Sequence, residues 1–122
     1  MVVQNVVPII RILNYTKAVE FYIDWLGFEI DWEHRFAEDM PLYMQISAPG
    51  IKLHLSEHHG DGIPGTHLHI YCTGIKAYHE TLINKKYKYG RPGLEETFYD
   101  TWSVTVHDPF GNRLIFDERK EQ

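Results

Sequence analysis

Cysteine is nearly absent: Cys72 is the only one in 122 residues. No internal disulfide can form, so a disulfide-stapled secreted scaffold is excluded and a reducing cytoplasm is the expected compartment. Long apolar runs are also missing. None reaches the roughly 20 residues of a membrane-spanning helix, so no membrane partner is expected. The opening MVVQNVVPII has neither a basic segment nor a small-residue cleavage site, and a secretory leader is not expected. Positive charge is scarce, with 12 Lys and Arg against 17 Asp and Glu and a net charge of −5. The basic residues form no stripe, which argues against nucleic acid as a partner.

What is present is a globular composition, 43% hydrophobic and 24% charged. A chain of this length can bury a substantial core as one domain without disulfides or structural metal. Aromatic side chains are plentiful, at 14%. Acidity combined with aromatic faces suits a cationic, partly flat ligand, although acidity by itself also serves solubility.

Hydrophobic periodicity divides the chain into two similar halves. Residues Val6 to Ile12 are apolar and β-branched and read as a strand. Asn14 is placed to cap a helix whose Ala18, Phe21, Tyr22 and Trp25 share one face, and Gly27 ends it. FEIDWEH alternates, with Phe28, Ile30 and Trp32 on one side as expected core. PLYMQIS and IKLHLSE follow as two further strands. The pattern then restarts. THLHIYC reads as a strand, Thr73 as the cap of a helix carrying Ile75, Tyr78, Leu82 and Ile83, and WSVTVHD and RLIFDE as strands around a DPFGN turn. The offset that places Asn14 on Thr73 also places Lys17 on Lys76 and Ala18 on Ala77. The expected boundaries are module one at about residues 1–57 and module two at about 66–122, within a single domain of 1–122.

Histidine is the conspicuous residue. Five of the eight, His54, His58, His59, His67 and His69, fall between Leu53 and Cys72. Neutral imidazole is the commonest protein ligand for transition metals, so the segment raises the question of a metal site. Strand parity sets His54 opposite Leu53 and Leu55, and groups His67, His69 and Tyr71 on one face. His58 and His59 lie in a Gly-rich loop and read as solvated, or as hydrogen-bonding partners for that loop, rather than as ligands. His34, His79 and His107 have no local pattern. Cys72 reads as a small core residue rather than a nucleophile.

Two βαβββ modules, with KAVEFYIDWLGFE after the first strand and DPFGNRLIF near the end, resemble the vicinal oxygen chelate superfamily. That superfamily includes glyoxalase I, extradiol dioxygenases and the fosfomycin- and bleomycin-resistance proteins. LHLSEHHGDGIPG and RPGLEE look most like the bleomycin-resistance type. The resemblance implies an α+β fold with curved mixed sheets around a cup-shaped cavity. In metal-dependent members four strand positions ligate the metal, and here these fall on Val7, His54, His67 and Ile115. Two are aliphatic, and a catalytic site normally has three protein ligands. The resemblance therefore implies a chain with no metal or other cofactor and no catalytic residues. A metal-dependent lyase or dioxygenase using His54 and His67 is the alternative.

The implied activity is that of the resistance proteins, which sequester a cationic heteroaromatic glycopeptide antibiotic without chemistry. The partner would be a small molecule, of the bleomycin family or otherwise, held by a homodimer. Tyr43, Gln45, His54, His67 and His69 are expected to line the cup. Such relatives often carry a Trp-Gly pair before the penultimate strand. Those positions hold Tyr99 and Asp100 here, with a tryptophan following at Trp102, so Tyr99 and Trp102 complete the expected ligand-binding set. A binder of some other small molecule on the same fold is the third reading.

Overall fold

The structure is a computed structural model and describes residues 1–121. The chain divides into two compact units, Met1–Thr66 and His67–Gln122. Unit 1 contains β1 (Ile9–Arg11), α1 (Tyr15–Ala18) running directly into a π-helical segment (Val19–Trp25), β2 (Glu29–His34), β3 (Tyr43–Ala48) and β4 (Ile51–Ser56). Unit 2 contains β5 (His67–Tyr71), α2 (Ile75–Asn84), β6 (Glu95–Glu96), β7 (Thr101–His107) and β8 (Arg113–Arg119). The sheet orders are β1-β4-β3-β2 and β5-β8-β7-β6, the same topology twice. In each, the first strand pairs in parallel with the last and the remaining pairs are antiparallel. The α+β reading with two βαβββ modules holds.

In unit 1 the helix begins where Asn14 predicts. Its Oδ1 accepts the Lys17 N–H at 2.9 Å, satisfying one of the free donors of the first turn. The apolar stripe is also as read, with Ala18, Phe21, Tyr22 and Trp25 all buried. The hydrogen bonding is not the expected α pattern: Leu26 N–H reaches back five residues to Phe21 O, at 2.9 Å. The wider turn carries a stacked pair, Phe21 on Tyr22 at 4.8 Å, with Trp25 tilted against Phe21 at 5.4 Å. Gly27, at φ 89°, ends the segment in the left-handed region that only glycine enters freely. The strand residues Ile10, Met44, Ile46, Leu53 and Leu55 are also fully buried. Each such side chain contributes roughly 1.5–3 kcal/mol by leaving water.

Two departures from the sequence reading occur in this unit. The first strand is Ile9–Arg11, shorter than Val6–Ile12. Pro8 has no N–H, and supplies only its carbonyl, to the His54 N–H at 2.9 Å. The second departure is in β2. Ile30 pairs with Ile46 but Trp32 pairs with Gln45, so Asp31 is an extra residue, a β-bulge. The bulge reverses the alternation. Trp32 leaves the face expected from Phe28 and Ile30 and stands 42% exposed on the face of Gln45.

In unit 2 the second helix starts one residue later than the repeat suggests, with Gly74 rather than Thr73 at the cap. Gly74 has φ 79° and no side chain, so the first turn is capped from a distance: Glu118 Oε1 accepts the Ile75 N–H at 2.8 Å. The DPFGN turn is held by its own first residue. Asp108 Oδ1 accepts the N–H groups of Phe110 and Asn112, both at 2.8 Å, and Oδ2 accepts Asn112 Nδ2 at 2.8 Å. The buried apolar residues of this unit are Ile75, Leu82, Val104, Val106, Leu114 and Phe116.

Candidate functional site

Three of the expected ligand-binding residues meet in unit 1. Residue pairing sets Gln45 opposite His54 across β3 and β4, with Tyr43 two positions along the same face. The Tyr43 hydroxyl lies 2.7 Å from His54 Nδ1, and His54 Nε2 lies 3.0 Å from Gln45 Oε1. Gln45 Nε2 donates to Asp31 Oδ2 at 2.9 Å, and the Ser47 hydroxyl donates to Asp31 Oδ1 at 2.9 Å. These bonds from Gln45 and Ser47 hold the Asp31 carboxyl below the usual carboxylate range. Partial burial draws the His54 imidazole below its ordinary value. Burial, and then the charge of Asp61, push the Tyr43 phenol up.

Trp32 completes this face. Its ring is nearly parallel to that of Tyr43, at 6.0 Å and 13°, and meets His54 edge-on at 5.3 Å. Beside them opens a cavity of about 740 Å³, lined by Trp32, Glu33, His34, Phe36, Tyr43, His58 and Asp61. Phe36 stands 72% exposed between His34, at 4.6 Å, and His58, at 5.8 Å. His58 is part of the wall and a hydrogen-bonding partner within its loop. Its backbone N–H donates to Ser56 Oγ at 3.0 Å, and its carbonyl accepts from Arg11 Nη1 at 2.8 Å. Ser56 donates in turn to Asp61 Oδ2 at 2.6 Å, which fixes the acid in the loop. His59 is exposed.

Unit 2 gathers two more of the expected residues around one that the sequence reading did not select. Asp117 is fully buried. His69 Nδ1 donates to its Oδ2 at 2.7 Å and the Tyr99 hydroxyl to its Oδ1 at 3.1 Å, while Ser103 Oγ donates in a short contact. Burial raises the Asp117 carboxyl, but the hydrogen bonds from Ser103, His69 and Tyr99, with the charge of His69, outweigh it and leave the group below its ordinary value. His69 remains half exposed, its ring meeting Tyr99 edge-on at 5.8 Å. His67 is exposed and shares the His69 face by alternation. Trp102 is elsewhere. It alternates away from Thr101 and Ser103, and lies under two ammonium groups, Lys76 at 4.8 Å and Lys120 at 5.2 Å.

Asp117, Trp32, Asp31 and Asp61 were not selected from the sequence. Asp117 shares strand parity with Ile115, and that was the available signal. Nothing in the local sequence marks Asp31 as a bulge.

The donor set does not suit a catalytic metal. Of the positions aligned with metal ligands, Val7 and Ile115 carry no donor atoms. His54 has both ring nitrogens in hydrogen bonds with Tyr43 and Gln45. Ile115 pairs with His69 on the parallel ladder, so an aliphatic side chain occupies the place beside that imidazole.

Comparison with known proteins agrees with this architecture. The sequence matches the family model described as "Glyoxalase superfamily protein" over residues 1–122, and the chain belongs to that superfamily. Many solved structures are similar to it, among them the following three. A glyoxalase family protein from Bacillus anthracis shares 20% identity, with 98% of each chain covered and a TM-score of 0.70. A bleomycin resistance determinant encoded on the transposon Tn5 shares 14% identity, covering 98% of this chain and 100% of that one, with a TM-score of 0.74. TnmS3, an antibiotic binding protein from Streptomyces sp. CB03234, shares 14% identity, covering 98% and 99%, with a TM-score of 0.73. No curated protein sequence matches. At these identities the likeness establishes the fold.

Proposed function

We propose that the protein is a non-catalytic small-molecule binder of the bleomycin-resistance type, which sequesters a cationic heteroaromatic ligand. The observation that carries this reading is the pairing of Trp32 with Tyr43 beside an acid-bearing cavity of about 740 Å³. Flat aromatic faces stack on heterocycles and attract cations, and a volume in this range holds a drug-sized ligand. Asp61 on the wall, Asp31 beside it and the net charge of −5 favour positive charge. The fold is shared with proteins described as a bleomycin resistance determinant and an antibiotic binding protein, which supports the same reading. His67, His69 and Tyr99 form a second candidate surface, on unit 2. The protein acts as a homodimer in the cytoplasm, since exposed strand edges favour pairing. Sedimentation at micromolar concentration is expected to show two chains per particle, and a monomer would remove that part of the proposal.

The deciding experiment is a calorimetric titration with bleomycin-type compounds, followed by mass spectrometry of the recovered ligand. Binding with an unaltered ligand is the expected result. Absence of heat and of tryptophan fluorescence change at high micromolar ligand would reject the antibiotic reading. An altered ligand would reject the non-catalytic one.

A further inference from the structure

The hydrogen bonds of unit 1 impose a polarity on its cavity. Asp31 can only accept, so Gln45 turns its amide N–H toward Asp31 and its carbonyl toward His54. His54 then carries its hydrogen on Nε2, and its bare Nδ1 receives the Tyr43 hydroxyl at 2.7 Å. A phenol has one hydrogen, and this one is committed to His54. What Tyr43 offers the cavity is an oxygen with lone pairs and no donor.

Two further wall groups point the same way. Asp61 takes the Ser56 hydroxyl on Oδ2 and keeps a second carboxylate oxygen. His58 has its Nε2 shielded from solvent with no hydrogen-bond partner. A buried polar atom left in that state calls for an occupant of the site to supply a partner. In the Nδ1–H tautomer this nitrogen accepts. The same cavity is lined by the aromatic side chains of Trp32, Phe36 and Tyr43.

Resting on the reading of this cavity as a cation-binding site, we infer that it selects its ligand by N–H donors. The ligand class is a planar cation with N–H groups on its edge, an amidinium or guanidinium on an aromatic or heteroaromatic frame. A fully alkylated cation of equal charge is disfavoured. Such a cation stacks equally well, but it strips water from Tyr43 Oη and Asp61, and gives neither them nor the unpartnered His58 Nε2 a donor. Sites built around a ligand's N–H or O–H groups reject analogues that lack them far more strongly than apolar pockets reject a missing methylene.

The test is calorimetric titration of the full chain with two singly charged phenyl cations, benzamidinium and phenyltrimethylammonium. Benzamidinium is expected to bind at least about tenfold tighter, the effect of one hydrogen bond to a charged group. In Tyr43→Phe the ratio should shrink to about threefold or less, because the acceptor is gone while the ring remains. Gln45→Leu provides a second route should that variant misfold. It removes the acceptor of His54 Nε2–H, so nitrogen NMR of the imidazole should show the Nε2–H tautomer losing its exclusivity, and the ratio should fall with it. Equal binding of the two cations, or an unchanged ratio in both variants, overturns the inference and leaves the cation-binding reading standing. Failure of both cations to bind at millimolar concentration also overturns it. The parent reading falls as well only if bleomycin-type compounds are silent in their own titration.

Discussion

Trp32 stands opposite Gln45 on the β2–β3 ladder, and stacks on Tyr43 at 6.0 Å, because Asp31 is bulged out between two otherwise paired positions. The same residue holds Gln45 and Ser47 through its carboxylate. One inserted acid thus moves a tryptophan to the binding face and anchors the hydrogen-bond chain beside it. Trp32→Ala should therefore weaken binding of a cationic heteroaromatic ligand by about 1 kcal/mol or more while barely changing the melting temperature. A fully buried tryptophan would instead cost about 3–5 kcal/mol of stability on truncation. Parallel calorimetry and thermal melts separate the two outcomes.

Which parts of this were legible in the sequence follows from the range of the interactions involved. Element order, the buried stripe of Ala18, Phe21, Tyr22 and Trp25, the Asn14 cap and the DPFGN turn all depend on residues a few positions apart. The periodicity carries them. The position of Trp32 depends on a register shift, which alternation cannot reveal because a single extra residue inverts every side chain after it. The role of Asp117 depends on His69, Tyr99 and Ser103, which come from three other segments of the chain. Its own neighbours, Phe116 and Glu118, say nothing about its burial. Thr73 is a sound cap by residue type, and Gly74 displaces it because the carboxylate of Glu118, distant in sequence, satisfies the first turn.

The caps give a stability prediction. Asn14→Ala removes the bond to Lys17 N–H and should destabilise by about 1 kcal/mol. Thr73→Ala should stay within about 0.5 kcal/mol, because no cap bond is lost. Gly74→Ala should cost about 1 kcal/mol although a Cβ there meets nothing within 4 Å, since the penalty lies in the backbone at φ 79°. Urea denaturation of the three variants tests the order. Equal losses for Asn14→Ala and Thr73→Ala would contradict the cap assignment.

The His54 ring sets a pH dependence. Its folded pKa lies below the ordinary 6.5 through burial, so the unfolded chain binds the proton more readily. Stability from this group is full above about pH 6.5 and declines as pH falls from there toward the lower folded value. Affinity for a cation should decline over the same acidic range as the imidazole gains charge. His54→Gln should flatten the contribution of this ring to both profiles. An imidazole NMR titration showing His54 at or above the ordinary histidine value would remove the basis of the prediction.

Asp117 makes the strongest demand on unit 2. Its carboxylate is fully buried, and Ser103, His69 and Tyr99 all donate to it. Asp117→Ala leaves those donors facing a cavity, and should destabilise by about 2–4 kcal/mol. The more informative variant is Asp117→Asn, which keeps the shape and removes the charge. Because the folded carboxyl lies below its ordinary 3.8, its contribution is fully present above that pH and is lost as pH falls through the folded value. The wild type should therefore lose stability more steeply than Asp117→Asn at strongly acid pH, while at neutral pH the wild type is the more stable of the two. The variant's amide also turns one donor toward Ser103 or His69, so His69 should lose its fixed Nδ1–H orientation, visible as a changed tautomer by nitrogen NMR. If urea midpoints of the two proteins stay parallel from neutral to acid pH, Asp117 is not held as a buried carboxylate by these donors.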